Sequence, residues 1–387
     1  MIHISFPKFK MLLFSILVAL FACKSSDDIS PSAESSGSAS SSSGDSTTPA
    51  GQMTAGEWND LDHWNFWQDI IKSEDFKQMP SKWNFNTTNR ISVLAEDKDG
   101  NACIDCKVTL YKGTELVWQS KTDNFGKAEL WPNLHFSMDV YNDLQGYEIK
   151  VNDISITTPV LYKDGLNKII SDELTQYNNI SEICFVVDAT GSMGDELSYV
   201  KSELANVIQR ISANNQATTF RSASVFYRDE GDEYVTRTSA FTNDHSATIQ
   251  FIKNQVAGGG GDFPEAVHTA LEKSVKEFQW SASAKSRIIF LLLDAPPHAN
   301  NQVSQSIQAS IKLAAEKGIK IIPITASGID KETEFLMRFF GQTTNGSYVF
   351  VTGHSGIGNE HLIPSVGEYQ VEYLNDLIVR LIDKYVK

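Results

Sequence analysis

The sequence predicts an α/β fold, with a doubly wound, mostly parallel sheet over residues 173–387 preceded by a small all-β sandwich module over 87–172. Three observations carry this. Apolar, strand-like runs at 183–187, 222–227, 288–293 and 320–324 alternate with helix-like segments at 194–211, 246–255, 265–278 and 302–316. That alternation specifies a parallel sheet with helices on both faces. Residues 88–160 carry strand patterns alone, and acidic residues close two of the long apolar runs, where open α/β sheets bind ligands.

From the N-terminus, Lys8-Phe-Lys10 precedes an apolar run from Met11 to Phe21 and then Ala22-Cys23. The run is shorter than the roughly 20 residues that span a bilayer. With its basic flank it reads as a secretory signal over 1–22. Residues 23–52 are mostly Ser, Gly, Ala, Thr and Pro, a flexible tether. Residues 53–86 are aromatic-rich, with Trp58, Trp64, Phe66, Trp67, Phe76 and Trp83. Such a cluster packs a short helical segment onto a neighbouring domain; a platform for stacking sugars is the alternative. In the β module, strands are expected at 91–95, 107–111, 116–118, 128–131 and 147–151, divided by Asp99-Gly100, Lys112-Gly113 and Phe125-Gly126. Residues 224–235 read as a strand, a tight acidic turn (Asp229-Glu230-Gly231-Asp232-Glu233) and an antiparallel return. A last strand near 348–351 and a closing helix over 371–385 complete the α/β domain.

The candidate site begins at Asp188-Ala189-Thr190-Gly191-Ser192, between the apolar run 183–187 and a helix. A carboxylate and two hydroxyls two residues apart can turn to one side and share a hard cation such as Mg²⁺ or Mn²⁺. The plainer reading of Asp188 is a helix N-cap. Asp294 closes the run 288–293 in the same way, and Gly258–Glu265 (GGGGDFPE) lies between them. The glycine run is no phosphate-binding P-loop, since no Gly-Lys-Ser/Thr follows it.

These residues resemble the metal-ion-dependent adhesion site of von Willebrand factor type A domains, whose first element is D-x-S/T-x-S. The glycine loop and Asp294 take the places of that family's second and third metal elements, over roughly residues 180–387. The family's threonine falls on Gly261, which offers no side chain, and the adjacent Asp262 can supply an oxygen instead. The resemblance implies a Rossmann-like sheet and a divalent cation, Mg²⁺ first with Mn²⁺ or Ca²⁺ as alternatives, held by Asp188, Thr190, Ser192, Asp262 and Asp294. It also implies a binding protein, without catalysis, whose protein partner supplies an exposed carboxylate to the cation. Leu20-Phe-Ala-Cys23 resembles a bacterial lipobox, which implies lipid attachment at Cys23 and a membrane-anchored lipoprotein of the cell envelope. The following Lys24-Ser-Ser-Asp-Asp28 is similar to surface-export signals of Bacteroidetes-type lipoproteins, pointing to the outer membrane and its surface; the bland alternative is a solvated tether. Thr122-Asp-Asn-Phe-Gly126 with Lys127-Ala-Glu-Leu130 resembles carboxypeptidase-regulatory-like and immunoglobulin-like modules, which implies a spacer or binding module.

A net charge of −15 excludes nucleic acid as a partner and disfavours electrostatic docking on anionic lipid. Cys184 lies inside an apolar strand, where a buried thiol is expected. Cys103-Ile-Asp-Cys106 lacks the second pair a zinc site needs and the βαβ context of a redox motif, leaving a local disulfide or idle thiols. His298, His354 and Glu360-His361 fall near the expected rim of the site, but no nucleophile, base and orienting acid share a neighbourhood.

Overall fold

The computed structural model describes residues 48–134, 141, 143–152, 154–171, 177–215 and 217–386. The expected leader, Cys23, residues 24–28 and most of the tether lie outside them. The chain enters through β1 (Thr54–Trp58), α1 (Trp64–Ile70) and α2 (Met79–Trp83). The module follows with β2 (Ile91–Glu96), β3 (Lys107–Lys112), β4 (Glu115–Lys121), β5 (Lys127–Leu130), β6 (Tyr147–Val151), β7 (Ile154–Ile156) and β8 (Asn167–Ile170). Next come β9 (Asn178–Asp188), α3 (Gly194–Asn214), β10 (Thr219–Tyr227), β11 (Thr236–Thr242), α4 (His245–Lys253) and α5 (Val267–Glu272). The last third holds β12 (Ala284–Leu293), α6 (Asn301–Lys317), β13 (Ile319–Thr325), α7 (Lys331–Thr343), β14 (Tyr348–Thr352), β15 (Glu372–Tyr373) and α8 (Leu374–Val386).

Among the described residues, eight strands form one sheet in the order β11-β10-β9-β12-β13-β14-β1-β15. The run β10-β9-β12-β13-β14 is parallel and β11 returns antiparallel, as the sequence predicts. β9 is buried continuously from Ser181 to Asp188 and β13 along its whole length. Strands covered on both faces read as unbroken apolar runs, which is why they were visible in the sequence.

β1 was not. Residues 53–86 were expected ahead of the α/β domain, yet Thr54–Trp58 lies inside its sheet, antiparallel to β14 from Thr54↔Thr352 to Trp58↔Tyr348. On its other edge β15 pairs with Thr54 and Ala55. The backbone leading into β1 is captured by Glu203 of α3, a wholly buried carboxylate. It accepts from the N–H groups of Gly51 and Gln52 at 2.8 Å and of Met53 at 3.2 Å. Leu374, the first residue of α8, donates its N–H to the Met53 carbonyl at 2.8 Å.

Trp58, Trp64, Trp67, Phe76 and Trp83 are buried, with Phe66 at the surface. They pack the α1–α2 segment against α7: Trp67 stacks on Phe335, and Phe85 on Phe339 with ring centroids 4.2 Å apart. Their faces are spent on protein contacts. Below them Asp60 receives a bidentate pair of hydrogen bonds from Arg338 of α7 (2.6 and 3.0 Å) and a bond from the Trp58 indole.

The module's seven strands form two sheets, β5-β2-β8 and β4-β3-β6-β7. Ile91 and Val93 of one share a core with Val108, Leu110 and Ile149 of the other. Gly126 is required at its turn: its φ is +71°, and a Cβ there would stand 2.2 Å from the Ala95 carbonyl oxygen. Two ion pairs fasten the module to the large sheet, Arg287–Asp105 at 2.8 Å and Lys320–Asp123 at 3.0 Å.

Candidate cation site

β9 has β10 on one side and β12 on the other, so the chain winds both ways from it, and the C-terminal ends of β9 and β12 flank a topological switch point. Asp188 ends β9 and Asp294 immediately follows β12. Asp188 Oδ1 accepts from the Thr190 N–H and the Thr190 hydroxyl, both at 2.8 Å, and Thr190 Oγ1 lies 3.0 Å from Ser192 Oγ. Asp188 is thus not the helix N-cap: the caps fall on Thr190 and Met193, and Asp188 Oδ1 closes a turn ahead of them. Its Oδ2 is buried without a hydrogen bond of normal geometry, and so is Asp294 Oδ1. The Tyr227 hydroxyl nonetheless stands near Asp188 and Ser192 near Asp294, close enough to favour the ionised carboxylates. Burial, and then the neighbouring Asp294, pushes the Asp188 carboxyl up to about 7; burial likewise raises Asp294.

The glycine run docks against this loop through its backbone. Gly258 donates to the Ala189 carbonyl (3.0 Å), Gly191 donates to the Gly259 carbonyl (3.1 Å), and Gly260 donates to Asp232 Oδ2 (2.9 Å). The tight acidic turn at 229–233 thus clamps the loop. Asp232 also accepts from the Asp229 N–H, and Asp229 pairs with His298 Nε2 at 2.8 Å. Gly259 and Gly260 have φ of +74° and +71°, and a Cβ on Gly259 would stand 2.3 Å from Asp232 Oδ2. Gly259→Ala should therefore cost about 1–3 kcal/mol through left-handed strain alone and displace the Asp232 clamp as well. Gly261→Ala, whose Cβ meets nothing within 4 Å, should be nearly neutral. Urea denaturation of both variants checks the contrast.

The structure brings Asp188, Thr190, Ser192 and Asp294 to one place. Asp262 is different: it is exposed on the loop, and no hydrogen bond joins it to the other four. The acid that faces them is Glu265, buried and with Oε2 unpartnered. A Cβ on Gly260 would meet Glu265 Oε1 at 3.0 Å and Thr190 Cβ at 3.3 Å. Burial first, and then the charges of Asp188, Asp229 and Asp294, push Glu265 up to about 9. Tyr227 lies opposite Asp188 in the β9–β10 register. Its buried phenol is raised well above its ordinary value by burial and then by Asp188, Asp294 and Glu265. Glu265 was missed because an acid after Phe-Pro reads as a helix N-terminal charge; in the structure it is held by the loop that follows β12, donating its N–H to the Pro296 carbonyl and bridging to Pro297.

Carboxylate oxygens left short of hydrogen bonds in a dry, mutually repelling group are what a hard divalent cation satisfies. The residues present fit such an ion, with Asp188 and Asp294 as carboxylate donors and Thr190 and Ser192 as hydroxyl donors. The donor set is mixed: among the described residues no group of three or more His, Cys, Asp or Glu is arranged to hold a metal by itself. The histidines near the rim are engaged or peripheral. His298 pairs with Asp229, His361 Nε2 lies 2.9 Å from the Ile357 carbonyl, and His354 sits exposed in a short 3₁₀ turn.

Residues 182–356 match the family model of the von Willebrand factor A domain, and this region has that fold. Among curated relatives, a putative ariadne-like RING finger protein R811 of Acanthamoeba polyphaga mimivirus is 31% identical over 132 residues, 34% of this chain. The alpha-protein kinase vwkA of Dictyostelium discoideum is 26% identical over 177 residues, 42% of this chain. The chain spans 13% and 28% of the lengths of these two proteins. Among solved structures, BatB from Bacteroides thetaiotaomicron aligns over 53% of this chain and 98% of its own, at 13% identity and a TM-score of 0.38. The pilus adhesin SpaC from Lactobacillus rhamnosus GG aligns over 55% of this chain and 31% of its own, at 11% identity and a TM-score of 0.40.

Proposed function

We propose that the protein is a non-catalytic, cation-dependent binding protein of the bacterial cell envelope, anchored by lipid at Cys23. Asp188, Thr190, Ser192 and Asp294 hold Mg²⁺, with Glu265 as a supporting carboxylate behind them, and an acidic side chain of a partner protein completes the coordination. A bound divalent ion supplies a Lewis-acid contact for that carboxylate. The single observation that supports this reading most is the pair of buried oxygens without a hydrogen bond of normal geometry, Asp188 Oδ2 and Asp294 Oδ1, at the ends of adjacent parallel strands. The match to the von Willebrand factor A domain supports a protein-interaction or adhesion-type role at the general level.

The residues divide the work. Asp188 Oδ1 shapes the Thr190 turn and leaves Oδ2 for the ion. Asp232 and the glycine backbone fix the loop beside it. Glu265, which holds its proton near neutral pH while the site is without a cation, would give it up to a bound ion and so support cation retention.

Two measurements test the reading. Adding Mg²⁺ to protein stripped with EDTA should raise the melting temperature; at 100 times the dissociation constant the gain is about 2.7 kcal/mol. A pull-down from cell-envelope extract should capture a partner in Mg²⁺ and release it in EDTA. A partner retained equally under both conditions would refute the cation's part in recognition.

A further inference from the structure

Cys103 and Cys106 flank a turn whose middle residues are Ile104 and Asp105. Asp105 adopts a left-handed φ of 58°, a conformation that costs a non-glycine residue energy and persists only where its surroundings impose it. Thr122 closes the turn: its hydroxyl donates to the Cys103 carbonyl and accepts from the Cys106 N–H at 2.9 Å. In this structure both cysteines are thiols, not joined by a disulfide, and both are wholly buried in one apolar cluster. The ends of such a turn lie within about 7 Å of one another, and a disulfide needs a Cα separation of about 4.4–6.8 Å. The thiols also sense each other: burial first, and then Cys106, push Cys103 up to about 11.

The turn presents the chief polar anchor of the β module. Asp105 receives Arg287 of β12 at 2.8 and 3.4 Å, and Lys121 at 3.0 Å to each oxygen. Its carboxylate is buried, so the pairs persist only while the turn aims it at Arg287.

We propose that Cys103 and Cys106 form a structural disulfide that fixes the left-handed turn at Asp105 and thereby locks the β module to the large sheet. The bond forms by exchange with an external low-molecular-weight or protein disulfide before the turn is packed. One thiolate attacks that disulfide and expels its first thiolate; the second cysteine's thiolate then displaces the other from the mixed disulfide. The two protons end on the two released thiols, and the external disulfide is reduced as the pair is oxidised.

The test refolds the full chain with oxidised glutathione, denatures it, alkylates it and maps the peptide of residues 99–107. Without reductant this peptide should carry no alkyl label, and after dithiothreitol two. Label on both cysteines before reduction overturns the proposal. Reduction should also lower the melting temperature of the native chain by about 2–5 °C and leave a Cys103→Ser/Cys106→Ser variant unmoved. An equal response to reductant in both proteins refutes the lock.

Discussion

Asp188→Ala should abolish the stabilisation by Mg²⁺ and the EDTA-sensitive capture of a partner, while changing the stability of the cation-free protein little, because relief of the repulsion from Asp294 offsets the lost hydrogen bonds to Thr190. The two halves of this result have one origin. Asp188 is fully buried beside Asp294, and its Oδ2 has no hydrogen bond of normal geometry. Without a cation it is a desolvated charge next to a like charge, so its removal relieves repulsion. With a cation it is a principal ligand, and its loss should weaken binding by at least about a hundredfold, the cost of leaving an uncompensated charge in a buried site. Calorimetric melting with and without Mg²⁺ separates these effects. A cation response that survives in the variant would show that the ion is held elsewhere.

The same carboxyls make stability depend on pH in a direction opposite to the common one. An acid whose folded pKa exceeds its unfolded value keeps its proton more firmly when folded. In the cation-free protein the contribution of the Asp188 and Glu265 carboxyls to stability should therefore be fully present below about pH 4, near the ordinary aspartate value. That contribution should be lost as pH rises through about 7 for Asp188, with a further loss toward about 9 for Glu265. Asp188→Asn should flatten the first part of that decline in a series of urea melts, and saturating Mg²⁺ should do the same for the parent.

The second large effect concerns Asp60. Asp60→Ala should cost about 3–5 kcal/mol, because it strands the wholly buried Arg338 without its bidentate partner. Glu334 remains at 3.4 Å from the guanidinium but is already held by Lys331 and the Ser365 N–H. Replacing both partners, as Asp60→Leu with Arg338→Met, should recover much of the loss, since an apolar pair needs no counter-charge. Urea denaturation midpoints of the single and double variants decide the matter. A double variant no more stable than Asp60→Ala would mean that the network's geometry, rather than the stranded charge, sets the cost.

What the sequence made legible follows the reach of each signal. β9, β12 and β13 are long apolar runs in a sheet covered on both faces, so burial writes them directly into composition. Asp188 and Asp294 could be placed because a strand end is a local feature. β1 could not: Thr-Ala-Gly-Glu-Trp has no strong pattern, and its partner β14 lies almost 300 residues away, a pairing that only the folded topology reveals. The same pairing shortens the closing helix, since Glu372 and Tyr373 extend against β1 and α8 starts at Leu374. Glu265 was not legible for a related reason: it is held by Pro296 and Pro297, in a loop some thirty residues further on, and nothing nearby in sequence distinguishes it from the exposed Asp262.

The position of β1 also determines how tension would pass into the molecule. Force applied ahead of Gly51 runs along a strand enclosed by β14 and β15 and gripped at its entrance by Glu203. Such a strand cannot be unzipped one rung at a time, as a terminal strand at an open margin can. A pull along β1 would load its bonds to β14 together, so the sheet that carries the candidate site would hold its shape while the chain leading into it is pulled taut.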